Sequence, residues 1–439
     1  MSKKSFYLII VILILVLLGG AAYFFFYLDK PASEGSLSSS QSPFNPFSST
    51  NTNSNRTSSS NNHNASTSTS SSANNSQTYE WPKIREIWPT PVGGFVASTT
   101  ASSTFVRFVD RGTGYVYDMN MASATPVVIS NTTVPLVYES YWSSNAMSGV
   151  FRYIKEGSDD ITNFYVQLRS TATTTRASAS SSSTSSIPVQ AQPMLGQTPY
   201  ELRGTYFPGD ILSSAVSPNG NQLFTVENVE GNGAGFISNF DGSKSTQIFS
   251  APLTQIKAFW PTANTLMLAT KGSANSAGYL YSINAKTGTM STILGNLYGL
   301  SVLPNTTGGL VLYSDLSTRG NLVASLYDIK KDSSQDLPFT TLADKCVWSK
   351  QNPSDLFCAV PVSAPTATYP DAWYEGTAST IDQIIEIDTD TGSTHLVSNL
   401  SDDANASIDA EWLALDQKER FLYFVNKNNL SLWSIDLNQ

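Results

Sequence analysis

From Trp81 to Gln439 the chain is written in short apolar or alternating runs, grouped in fours and separated by Gly, Asn, Asp, Ser and Pro. Strand side chains alternate between two faces, and Gly, Asn and Asp tolerate the positive φ of tight hairpins, so the pattern reads as antiparallel sheet throughout. Residues 211–250, ILSSAVSPNGNQLFTVENVEGNGAGFISNFDGSKSTQIFS, form the clearest unit. It parses as strands at 211–216, 222–227, 234–239 and 245–250, joined by turns at 217–220 and 240–243. The same order returns at intervals of roughly 40 to 60 residues, a period that marks a repeat architecture.

The repeat leaves a remainder at each end. The last unit, residues 408–439, supplies three strands, and IREIWPTPV at 84–92 is one strand too many ahead of the first unit. Pairing the remainders completes the set and leaves no sheet edge unpaired. The expected fold is therefore all-β: a seven-bladed β-propeller closed by an N-terminal outer strand, with 84–92 beside 430–437. In the second unit a weak outer strand is expected at 187–191, and in the fifth at 336–341.

Residues 214–224, with their Ser-Pro-Asn-Gly turn, resemble the WD40-like repeat of TolB-type and related extracytoplasmic propellers. The hairpins at 281–293 and 385–397, turning at Lys-Thr-Gly and Asp-Thr-Gly, are similar to it as well, whereas the Gly-His…Trp-Asp signature of WD40 repeats is missing. The resemblance lies at superfamily level. It implies a propeller with an exported, scaffolding character and implies no binding residue.

The amino-terminal region is of another kind. Lys3 and Lys4 precede an uncharged apolar run at 6–28 that ends at Asp29-Lys30. Such a run spans roughly 35 Å as a helix, enough to cross a hydrocarbon core. Basic residues on its leading side place the 1–5 stub in the cytoplasm and the rest of the chain outside. The run continues past the small residues Gly19–Ala22, which argues for an uncleaved signal anchor rather than a cleaved signal peptide. Residues 29–80, rich in Ser, Asn and Thr, bury too little to offset their chain entropy and read as a disordered tether; the insert at 169–186 has the same character. This divides the chain into stub, transmembrane helix, linker and a propeller at 81–439.

Topology then assigns faces. Inner strands run from a top face to a bottom face, and both propeller ends meet at the bottom, so the tether leaves from there. Two aromatic segments fall at the top as loops and form the expected contact surface: 196–210, with Tyr200, Arg203, Tyr206 and Phe207, and 362–379, with Tyr369, Asp371, Trp373, Tyr374 and Glu375. Rigid scaffolds present functional loops, and Tyr, Trp and Arg dominate binding hot spots. The competing reading is that these rings fold back as a plug.

Chemistry-bearing residues are few. The only cysteines, Cys346 and Cys358, fall on the first two strands of the sixth unit; if Val347 faces Phe357, they face each other and form a disulfide. The two histidines, His63 and His395, are too few for a Ser-His-Asp triad or a multi-His zinc site. Asp388-Thr-Asp390-Thr-Gly392 starts like a calcium loop but lacks the later ligands, so it reads as a hairpin turn. Trp142, Trp260, Trp348 and Trp412 recur on inner strands and read as packing between blades. No catalytic, cofactor-binding or metal-ligating set is named. A net charge of −9 without a basic cluster beyond the N-terminus gives no nucleic-acid footprint. The expectation is a membrane-anchored binding module for a protein, peptide or glycan; the alternatives are an extracytoplasmic enzyme (a quinoprotein-like oxidoreductase or carboxylate-based glycan hydrolase) or a structural subunit of an envelope complex.

Overall fold

The structure, a computed structural model, describes residues 81–439 apart from 100–102, 124, 156, 158–159, 172–198, 208 and 365. The expected membrane helix at 6–28, the linker at 29–80, most of the insert at 169–186 and the strand expected at 187–191 lie outside the described residues. Among the described residues no helix is long and apolar enough to cross a membrane.

Seven four-stranded antiparallel sheets follow one another along the chain. Six are built from consecutive strands, spanning 92–128, 137–206, 211–251, 256–298, 301–336 and 346–399. The seventh takes its three inner strands from 410–436 and its outer strand from Ile84–Trp88, in the order outer strand, Ser431–Asp436, Phe421–Asn426, Ala410–Leu415. The arrangement is a seven-bladed β-propeller.

The core is divided among the gaps between blades, because each sheet is apolar on both faces. Between the third and fourth blades, Phe224, Val226 and Phe249 meet Ile256, Trp260, Leu266 and Leu268. The first and last blades share a cluster of the same kind, in which Val92, Val106 and Phe108 pack on Phe421, Tyr423 and Val425.

The N-terminal outer strand runs antiparallel to Ser431–Asp436, with Ile84 opposite Ile435 and Trp88 opposite Leu432. Its two isoleucines, three residues apart, point to opposite sides of the sheet, as strand alternation requires. Ile84 joins the cluster shared with the sixth blade, and Ile87 the cluster shared with the first. Burial of each is worth about 2 kcal/mol, so one short strand ties three blades together.

The outer strands depart from sequence expectation in two blades. In the second, Tyr200–Tyr206 is the outer strand, hydrogen-bonded beside Ile161–Ser170 with Arg203 opposite Gln167. Tyr200, Arg203 and Tyr206 are therefore strand residues, not residues of a top loop. The long insert pushes the strand toward the C-terminus, and Gly204 allows it to dock: a Cβ there would lie 2.1 Å from the Tyr165 carbonyl oxygen. In the fifth blade the outer strand is Ser333–Asp336 rather than 336–341.

Bottom turns are closed by their own polar side chains. Ser217 Oγ accepts the Gln222 and Asn221 N–H groups at 2.9 and 3.2 Å, and Asn305 Oδ1 accepts those of Gly309 and Leu310, both at 3.1 Å. Asp416 Oδ1 does the same for Phe421 N–H at 2.7 Å. These groups satisfy backbone donors that a tight turn would otherwise leave without a partner.

Candidate functional site: the top face and its axial mouth

Exposed large apolar side chains are segregated. Among the described residues, all but Val127 and Leu396 lie where strands begin or end at the top face, or at the axis. They include Tyr115, Leu136 and Ile161 on the first two blades, Tyr298 on the fourth, Val362, Tyr374 and Ile381 on the sixth, and Trp412 on the seventh. Tyr206, at the top end of its outer strand, is 70% exposed and meets Phe164 edge-on at 5.4 Å.

The sixth blade carries the largest top excursion, between Asp355–Pro361 and Asp382–Asp388. It does not stand free. Its single-turn helix, Asp371–Tyr374, reaches across the fifth blade, where Ala274 N–H of the fourth blade donates to Asp371 Oδ2 at 2.6 Å. Pro370 packs on Gly272 and Gly299, and the Leu300 carbonyl oxygen leaves no room for a Cβ at Gly272, which would sit 2.4 Å from it. Tyr369 and Trp373 are buried with Leu342 in a small core of their own. The segment is a strap across three blades: Tyr369 and Trp373 are its anchors, and Tyr374 is the ring it presents, at 43% exposure. Phe207 likewise points inward, buried with Val150, Ile211 and Leu223. Of the aromatic residues expected to form one contact surface, Tyr206 and Tyr374 are the exposed rings, and Phe207, Tyr369 and Trp373 are core. Arg203 spends its charge on Glu201 at 2.8 Å.

Beneath the strap lies a buried charged cluster that sequence reading did not find. Lys345 Nζ, 1% exposed, sits 2.7 Å from Asp382 and 2.5 Å from Asp409 and donates to Thr380 Oγ1 at 2.7 Å. Trp373 Nε1 donates to Asp409 Oδ2 at 3.0 Å, and the ring lies 5.5 Å from Lys345 Nζ and 5.0 Å from Lys427 Nζ. Burial outweighs Lys345 at Asp382 and pushes its carboxyl above the ordinary value. At Asp409 burial acts the same way, but Lys345 and the Thr380 and Trp373 N–H groups outweigh it and hold the carboxyl low. Two carboxylates for one ammonium suit a latch: the cluster joins the start of the sixth inner strand, the strap and the start of the seventh. Lys345 and Asp409 carried no signal in the sequence, because each is a single charged residue before an inner strand.

At the axis, a cavity of about 250 Å³ opens between the first, second and seventh inner strands, lined by Phe95, Glu139, Ser140, Tyr141 and Trp412. Glu139 is held by Arg152 at 2.7 Å and by the Tyr141 hydroxyl at 2.6 Å. Trp412 departs from the other inner-strand tryptophans. Trp142, Trp260 and Trp348 are buried between blades as expected, whereas Trp412 is 39% exposed. Its φ of 54° lies in the left-handed region, within an irregular stretch of the strand pairing between Glu411 and Ala414. A bulky side chain held there is strained, and such strain concentrates at functional positions. Beside it, burial pushes the Glu411 carboxyl up to about 7 against the pull of Lys427, with Asp409 and Asp344 adding to the rise. On the strap side of the top face, Asp344 is bound by Lys257 and accepts the Tyr374 hydroxyl at 2.6 Å.

The remaining candidates are structural in place. Cys346 lies opposite Cys358 and Val347 opposite Phe357, and the two sulfurs are bonded at 2.09 Å. Asp388 caps its own hairpin, accepting Asp390 N–H at 2.9 Å, with Gly392 at a φ of 72°. His395 is solvent-exposed on an outer strand, 3.8 Å from Glu386.

No protein-family model and no curated protein sequence matches this chain. Solved structures do resemble it in chain path. An oligogalacturonate lyase from Vibrio parahaemolyticus aligns with a TM-score of 0.49 and 8% identity over 83% of this chain and 94% of its own. TolB from Acinetobacter baumannii aligns at 0.40 and 10% identity, over 71% of this chain and 62% of its own. The tricorn protease aligns at 0.48 and 8% identity, over 82% of this chain and 34% of its own. The strand order itself carries the fold.

Proposed function

We propose that this chain is a membrane-anchored extracytoplasmic propeller that binds a protein or peptide partner through its top face. One observation carries the reading: exposed apolar side chains gather at the end of the ring away from the chain's entry point, while the other end is closed by self-capped polar turns. Rings and branched aliphatics on a rigid frame match the make-up of protein-binding surfaces. In this reading the apolar run at 6–28 supplies the anchor and residues 29–80 the tether. The Cys346–Cys358 bond supports an extracytoplasmic setting, since such bonds persist in oxidising compartments. Affinity purification of the full chain from membranes tests this. Tyr298→Asp with Ile381→Asp keeps the melting temperature and loses the co-purifying partner. Retention of the same partner by the folded double variant overturns the reading.

A second reading has its own support. Glu411, whose carboxyl burial pushes up to about 7, directly precedes the strained, exposed Trp412 that lines the axial cavity, and is suited to general acid–base chemistry or to a small ligand. Here Glu411→Gln abolishes turnover or ligand binding while Tyr298→Asp leaves both intact, the reverse of the first reading.

A further inference from the structure

On the bottom face, where the closing strand meets the first and last blades, a cavity of about 350 Å³ is lined by Trp81, Lys83, Arg85, Arg420, Asp436 and Gln439, among others. We propose that this cavity binds a phosphate-bearing anion between Arg85, Lys83 and Arg420.

Arg85 is the centre of the site. Its guanidinium is half-buried, lies 4.4 Å from the centre of the Trp81 ring, and donates to the Ser123 carbonyl at 3.2 Å and to Met121 Sδ at 3.6 Å. It forms no ion pair among the described residues, and neither does Lys83, so a cation withdrawn from water lacks a counter-charge. The one side-chain carboxylate in the lining, Asp436, is already bound by Arg420 at 2.8 Å. A chain with a net charge of −9 thus gathers three cationic side chains against one acidic side chain around a single hollow. Arg85 presents a planar fork of five N–H donors, of which the carbonyl and the sulfur take two. The free donors match the tetrahedral oxygens of a phosphate, which an arginine fork binds in bidentate fashion.

The site also has a mechanical consequence. Lys83 and Arg85 come from the entering strand and Arg420 from the last blade, so a bound anion bridges the two ends of the ring. Because the site is assembled only in the folded ring, binding raises the melting temperature.

The test uses the full chain in neutral detergent, titrated with inorganic phosphate by calorimetry and thermal unfolding, with chloride holding ionic strength constant. The wild type gives a saturable heat and a rise of a few degrees. Arg85→Gln weakens binding at least tenfold, and Lys83→Gln, a change at the rim, weakens it several-fold without disturbing the strand. Glycerophosphoglycerol and glycerol phosphate in parallel titrations separate the sources: tighter binding of the former assigns a phospholipid headgroup, and tighter binding of phosphate or the monoester assigns a free phosphate. No saturable response to any of the three beyond that to chloride overturns the proposal. So does unchanged affinity in Lys83→Gln together with a folded Arg85→Gln.

Discussion

The two faces of this ring are made by the same repeat yet are chemically opposite. At the bottom, Ser217, Asn305 and Asp416 each fold back on the turn they occupy, and the exposed tips are Asn, Lys, Gln and Ser. At the top, the connections carry a strap pinned by Trp373, a buried lysine with two aspartates, and exposed Tyr298, Tyr374 and Ile381. Bottom connections mostly join neighbouring strands of one sheet and so can be two- to four-residue hairpins governed by local backbone rules. Top connections include every passage from one blade to the next, where tertiary contacts must position the chain. The difference teaches that the bottom solves a folding problem locally, while the top is free to carry function at the expense of long-range interactions.

The largest effect expected from breaking this contrast is at Lys345. Lys345→Met leaves Asp382 and Asp409 buried without a counter-charge and costs about 3–5 kcal/mol in chemical denaturation. A loss under about 1 kcal/mol would mean that the strap stands without its latch. Trp373→Ala follows closely, at roughly 3–4 kcal/mol, because a buried indole is removed from a small core. Its neighbour sharpens the comparison: Tyr374→Ala, an exposed ring, costs about 1 kcal/mol or less. Equal losses at the two positions would remove the distinction between anchor and presented ring.

Glu411 gives a pH-dependent effect of intermediate size. The folded chain holds the Glu411 proton more tightly than the unfolded chain does. Its contribution to stability therefore falls as pH rises from about 4.5 to about 7, and the penalty is complete above that window. Glu411→Gln removes the penalty and is more stable than wild type at pH 8 by about 3 kcal/mol, with the advantage gone at pH 4. Parallel stability curves for the two proteins across this range would show that the carboxyl is not held in an unusual state. An effect as small as that at Tyr374 belongs to the bottom face: Ser217→Ala loses a turn cap worth about 1 kcal/mol and leaves partner recovery unchanged.

Much of the architecture was legible because the blades obey local rules. The turn at 217–220 and the alternation on either side define the third blade, and its first strand, Ile211–Val216, begins and ends where the pattern says. The pairing of Val347 with Phe357, and with it the facing cysteines, follows from hairpin register alone. Outer strands were harder to read. They face solvent on one side, so Tyr200–Tyr206 and Ser333–Asp336 lack the apolar signature that marks inner strands. The site was legible only in part. That 362–379 crosses the top was readable from chain order, but that Trp373 turns inward and Tyr374 outward depends on Asp409, thirty-six residues from Trp373. The Lys345 cluster likewise arises from contacts between blades, and the exposure of Trp412 from an irregularity in the pairing of its own strand; no alternating pattern encodes either.

The most direct test of the account is site-specific photo-crosslinking in membranes that carry the full chain. A benzophenone amino acid is placed in turn at Tyr298, Tyr374 and Ile381 on the top face, and at Asn219, Lys286 and Gln417 on the bottom. The account predicts discrete adducts to one partner from the top positions and none to that partner from the bottom. Adducts to the same partner from the bottom positions, with the top positions silent, would contradict it.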